Sequence, residues 1–137
     1  MAGERILIVE DDVALVGQPM ANKLRKAGYE VVGFATTADD AVEMATRVQP
    51  ALVLMDIQLK DRQGNDDDRG GLRAAREIRD KAGIPIVFVT GIKPRPDVLS
   101  ETKELSGNEY LLKPVPAERL LDSIGAALSR AGRAGDG

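Results

Sequence analysis

Five short apolar, β-branched runs alternate with segments of helical composition, and this alternation constrains the chain more than any other feature. "RILIVE" at 5–10 leads into a helical stretch from Val13 to Ala27 that stops at Gly28, and "YEVVGF" at 29–34 is the second run. Thr37 is placed to cap a helix with apolar positions Ala38, Ala41, Val42, Ala45 and Val48, terminated by Pro50. "ALVLMD" at 51–56 is a third strand, "GGLRAAREIRDKAG" a helix closed by Gly83, and "IPIVFVT" at 84–90 a fourth strand. Pro94 and Pro96 delay any helix until about Asp97, and Gly107 ends it, so a short or irregular helix is expected there. "EYLLK" at 109–113 and a last helix from Pro116 to Arg130, turning Leu120, Leu121, Ile124, Ala127 and Leu128 inward, complete the pattern.

Parallel strands need crossovers, and right-handed crossovers place helices outside the sheet. The expected fold is therefore α/β: one doubly wound, five-stranded parallel sheet with helices on both faces. A chain of 137 residues holds one such domain, read as 1–131, with 132–137 expected to be a disordered tail.

In open α/β sheets the functional crevice lies beyond the carboxyl ends of the strands. Here strand one ends in Glu10, Asp11 and Asp12, strand three in Asp56, strand four in Thr90 and strand five in Lys113. Each of these has an ordinary explanation taken alone: an Asp after a strand caps a turn, and "EDD" before a helix suits its positive end. Four strand ends of one sheet carrying such groups point instead to a common pocket. Carboxylates converging from two strands repel unless a cation sits among them.

Composition narrows the chemistry of that pocket. There is no cysteine and no histidine, which excludes disulfides, thiol catalysis, Ser-His triads and zinc sites of His type. The remaining ligands are hard oxygens, and Mg²⁺ is the favoured ion. Lys113 adds a fixed positive charge and Thr90 a hydroxyl, so the pocket suits a phosphoryl group with Asp56 as its acceptor. A net charge of -3 gives no broad footprint for nucleic acid. Apolar runs such as "IPIVFV" at 84–89 are too short to span a bilayer, and Met1 to Glu4 carries no hydrophobic signal segment, so a cytoplasmic location is expected.

"ILIVEDD", "LVLMDIQL", "IVFVTG" and "YLLKP", in this order and spacing, resemble the receiver domain of two-component response regulators over about Ile6 to Leu128, with its flavodoxin-like fold. The resemblance implies that a sensor histidine kinase or a histidine phosphotransfer protein donates a phosphoryl group to Asp56. Asp11 would be a direct Mg²⁺ ligand, Glu10 would act largely through water, Asp12 would cap the first helix, and the backbone carbonyl of Gln58 would complete the protein ligands. Thr90 and Lys113 would hold the phosphoryl oxygens, and Tyr110 matches the aromatic that reorients with Thr90. Lys113-Pro114 matches a bond that is cis in the family. The implied protein is a phosphoacceptor rather than an enzyme, although able to catalyse its own phosphorylation and dephosphorylation. It would signal to a downstream protein target or through a homodimer formed on phosphorylation. No output module follows Arg130, which reads as a stand-alone receiver.

Two departures stand out. The family usually has a Pro four residues after the acceptor and a Gly eight after it; here Lys60 takes the first position and the helix opens at Gly71, so the loop is about seven residues longer. This stretch, with Asp66, Asp67 and Asp68, is read as a solvated insertion, the alternatives being a recognition element or a second cation site. Beyond Thr90, Ile92 stands where one receiver subgroup carries an aromatic. The rival readings are a receiver-shaped binding module working without phosphorylation and an aspartyl-phosphate hydrolase. The hydrolase class has a second Asp two residues after the nucleophile, where this chain has Gln58.

Overall fold

Leu52–Met55 (β3) is the centre of the molecule: all four of its side chains are buried, as expected of a strand covered on both faces. It pairs in parallel with Arg5–Val9 (β1) on one side and with Ile86–Thr90 (β6) on the other. Glu30–Ala35 (β2) and Tyr110–Leu112 (β7) form the edges, giving the order β2-β1-β3-β6-β7 with every pairing parallel. This is the five-stranded sheet expected from the alternation. The computed structural model describes residues 3–91, 95–106 and 110–136.

Two apolar layers sandwich the sheet. On one face Leu7, Val53, Met55 and Phe88 meet the helices Ala38–Val48 (α2), Gly70–Ala82 (α3) and Pro96–Ser106 (α4). On the other, Ile6, Ile8, Leu54 and Val87 meet Gln18–Lys26 (α1) and Ala117–Asp136 (α5) through Leu24, Leu120 and Ile124. Strand side chains alternate between the two layers because successive Cβ atoms point to opposite faces. Thr37 caps α2 by accepting from Asp40 N at 3.1 Å, and Gly83, with φ 65°, closes α3 by donating to the Arg79 carbonyl.

The structure differs from the sequence reading in four places. The first helix opens as a π-helical turn, Val13–Gly17, before α1; Val16 N and Gly17 N both donate to the Asp12 carbonyl at 3.0 Å. The region after Thr90 holds a regular 11-residue helix, α4, because Pro96 occupies its first position, where the missing N–H has no helical partner to lose. Ile92, Pro94 and Gly107, on which the reading of that region leaned, lie outside the described residues. The last helix continues past Arg130 to Asp136.

The fourth difference is the long loop after Asp56, which folds into an antiparallel hairpin of Leu59–Lys60 (β4) and Asp66–Asp67 (β5). Leu59 is buried, and Asp61 organises the turn: its Oδ1 accepts from Gln63 N and Asn65 N, both at 2.9 Å. Arg73 of α3 grips Asp67 with two bonds at 3.1 and 2.6 Å, and Arg62 reaches Asp40 of α2 at 3.0 Å. The insertion is thus fastened to the domain on both sides, more ordered than the solvated loop expected from its composition.

Candidate functional site: an acidic cleft at the strand ends

The sheet's own hydrogen bonds place the acids. Asp56 N donates to the Val9 carbonyl at 3.0 Å and Glu10 N to the Ala35 carbonyl at 2.9 Å, so the ladder runs one residue past each strand and sets Glu10 beside Asp56. Across the sheet, Lys113 N donates to the Thr90 carbonyl at 2.8 Å, which fixes the root of the Lys113 side chain. The Lys113-Pro114 bond that follows is cis. Lys113 Nζ donates to Asp56 Oδ2 at 2.9 Å and also to Glu10 Oε1.

Glu10 and Asp56 are almost fully buried, at 3% and 6% exposure. Glu10 Oε2 accepts from Asp12 N at 3.0 Å, so both of its oxygens are engaged within the protein. Asp12 itself turns to the helix, accepting from Leu15 N at 3.1 Å as the cap expected of it. Gln58 N approaches Asp56 Oδ1 at 3.3 Å. Asp11 is exposed, yet a carboxylate oxygen of Asp11, one of Glu10 and one of Asp56 all lie within 4.8 Å of one another. The sequence-derived set Glu10, Asp11, Asp56, Gln58 and Lys113 therefore lines one cleft of about 360 Å³. Thr90, 1% exposed, ends β6 and does not line the cleft, and Tyr110, also outside the lining, is half-buried against the α2–α4 layer.

The electrostatics record a shortage of positive charge. Burial pushes the Glu10 carboxyl up to about 7, helped by the Asp56 charge and opposed by the bonds from Lys113 and Asp12 N. Burial also raises Asp56, against the pull of Lys113 and the Gln58 amide. Burial pulls Lys113 down, but its bonds to Glu10 and Asp56 outweigh this and leave it raised. Lys113 bonds two of the three clustered carboxylates, Glu10 and Asp56, and all the donors are hard oxygens. That donor set fits a small divalent cation, with Asp11 the most open of the three.

Gly71 explains how α3 comes so close. A Cβ there would lie 1.9 Å from the Asp56 carbonyl oxygen, and Gly71 N donates to the Ile57 carbonyl at 2.9 Å. Only a glycine lets the helix press its first turn against the backbone that carries Asp56. The sequence reading noted this position as the helix start without its steric reason.

Sequence reasoning also left Lys60, Asp66 and Asp68 outside the site, and the hairpin brings all three into the cleft. The local signal was slight: an Asp61-to-Gly64 turn between Lys60 and three acids, with flanking strands too short to show a period.

These features define a receiver. The model of the response regulator receiver domain matches residues 6–125, and the chain belongs to that family. A curated relative, the transcriptional regulatory protein PdtaR of Mycobacterium tuberculosis, is 38% identical over 126 residues, covering 92% of this chain and 57% of that protein. The chain thus spans little more than half the length of that relative. Among solved structures, a CheY-like receiver domain protein from Methanospirillum hungatei JF-1 superposes with a TM-score of 0.80 at 26% identity, covering 96% of this chain and 98% of the other. The N-terminal domain of a response regulator/sensory box/GGDEF 3-domain protein from Carboxydothermus hydrogenoformans gives 0.77 at 32% identity, covering 97% and 99%. No helix among the described residues is long and apolar enough to cross a membrane.

Proposed function

We propose that this receiver is a phosphoacceptor switch that takes a phosphoryl group onto Asp56 from a histidine-bearing donor, either a sensor histidine kinase or a histidine phosphotransfer protein. The observation that carries the reading is the convergence of Asp56, Glu10, Asp11 and Lys113 from three strand ends into one cleft. A lone pair of an Asp56 carboxylate oxygen attacks phosphorus, the P–N bond to the donor imidazole breaks, and its electron pair stays on the ring nitrogen. The acceptor is already an anion, so no separate base is needed.

Asp11, Asp56 and the Gln58 carbonyl would hold Mg²⁺ directly and Glu10 through water. When bound there, the ion supplies charge neutralisation at the phosphoryl oxygens. Lys113 leaves the Asp56 carboxylate for a phosphoryl oxygen, and Thr90 closes on another. Movement of Thr90 gives Tyr110, partly packed against the core, a new position, and the α4–β7–α5 face changes shape. That face serves a downstream protein or a second copy of the chain.

The donor histidine docks over an apolar groove of about 300 Å³ formed by Leu15, Val16, Pro19, Met20 and Val115. Val16 and Lys113 line both this groove and the acidic cleft, so a helix seated there brings its histidine to the rim. Leu15, 78% exposed, is the natural anchor. Incubation with a phosphohistidine donor tests the reading: an acyl phosphate gives label that hydroxylamine removes, and hydroxylamine-stable label would refute it.

A further inference from the structure

Lys60 stands on β4 with its side chain about half exposed, and it lines the same cleft as Asp56. Its ammonium bonds Asp66 Oδ1, and the two residues are register partners across the hairpin. Its positive charge also stands within the field of Asp11 at the end of β1 and of Asp68 beside the hairpin.

The hairpin does not need this ion pair. The Asp61 turn, the buried Leu59 and the Asp67–Arg73 fork already fasten it. An exposed Lys–Asp pair contributes little to stability in any case. What the pair does change is the charge at the mouth. Asp66 and Asp68 join the acids of the strand ends there, and among the described residues Lys60 and Lys113 are the lysines lining the cleft.

Resting on the phosphoacceptor reading above, we infer that Lys60 is a second phosphoryl-binding cation, held by Asp66 in the resting protein and released to the phosphoryl oxygens when a donor enters the cleft. The insertion then supplies a charge to the reaction. Lys113 neutralises the buried side of the phosphoryl group and Lys60 the outer side, where charge also develops as the group transfers. Phosphoramidate is the simplest donor: its P–N bond breaks with the electron pair going to nitrogen, ammonia leaves, and the new P–O bond forms from Asp56.

Opposite signs test the inference. At saturating Mg²⁺, Lys60→Ala should slow labelling by phosphoramidate on the order of tenfold, less than the roughly 10²–10³ of a buried donor, because Lys60 is half exposed. It should weaken beryllofluoride binding, measured by calorimetry, by a similar factor. Asp66→Ala should free the ammonium and raise both rate and affinity, and Lys60→Arg should restore most of what Lys60→Ala loses. If Lys60→Ala matches wild type, or if Lys60→Ala and Asp66→Ala shift labelling and beryllofluoride affinity in the same direction, the pair merely staples the hairpin and the inference is overturned. Absence of labelling in the wild type would instead refute the phosphoacceptor reading itself.

Discussion

Lys113 Nζ lies 2.9 Å from Asp56 Oδ2 and is bonded at the same time to Glu10, so one ammonium balances two buried carboxylates that the sheet forces together. Removing it leaves the two carboxylates facing each other without that cation between them. Lys113→Ala should cost about 3 kcal/mol at pH 8, the lower end for breaking a buried pair. At pH 5 the loss should shrink, because Glu10 and Asp56 can then take up protons. Urea denaturation at the two pH values checks this; an equal loss at both would show that the lysine contributes packing rather than charge.

Stability should also depend on pH in the unmodified protein. The folded Glu10 carboxyl titrates at about 7 against an ordinary 4.5, so between those values the folded chain binds more protons than the unfolded one. Stability therefore falls as pH rises from about 4.5 to 7 and levels off above, and the raised Asp56 acts in the same direction. Lys113, raised above 10.5, contributes stability fully present below that value and so does not shape this window. Mg²⁺ should reverse the trend, since it binds the ionised acids. Melting curves with and without Mg²⁺ should show a large gain at pH 8 and a small one at pH 5; equal gains would place the metal elsewhere.

Gly71 is expected to tolerate no side chain. A methyl group 1.9 Å from the Asp56 carbonyl oxygen must push α3 off the strand end, because the obstacle is backbone. Gly71→Ala should destabilise the domain by about 3 kcal/mol, the upper part of the overpacking range. The shift should appear as well in amide resonances of Asp56, Ile57 and Gln58. Wild-type melting behaviour would mean that the close approach is not maintained in solution.

Leu15 offers a way to separate donor docking from chemistry. It projects into solvent beside the apolar groove, and its amide donates to Asp12 Oδ1 at 3.1 Å. Leu15→Lys should lower transfer from the cognate histidine donor about tenfold, the loss of one modest interface anchor. The rate with a small phosphodonor should stay as it was. Equal effects on both donors would assign Leu15 to the fold rather than to recognition.

How far the sequence foretold all this varies by region, for physical reasons. β1, β3 and β6 announce themselves because strands buried on both faces must be continuous apolar runs, and an acid or hydroxyl at the end of each is conspicuous against such a run. From there the parallel topology alone brings Glu10, Asp56, Thr90 and Lys113 to one edge. The hairpin of β4 and β5 was not legible, since two paired residues per strand carry no period, and its order comes from Asp61 bonding its own turn and from Asp67 meeting Arg73 on α3. Lys60 therefore read as a departure from a pattern, and only the folded hairpin shows which cleft it lines. The regular α4 was obscured by prolines whose effect depends on position: Pro96 at the first turn starts a helix that the same residue would break further in.

The central claim is that Asp56 accepts a phosphoryl group in this cleft, and intact-mass measurement after incubation with Mg²⁺ and phosphoramidate tests it most directly. Wild type should gain one phosphoryl mass, Asp56→Asn none, and wild type stripped of Mg²⁺ by chelation little or none. Equal labelling of wild type and Asp56→Asn would contradict the account.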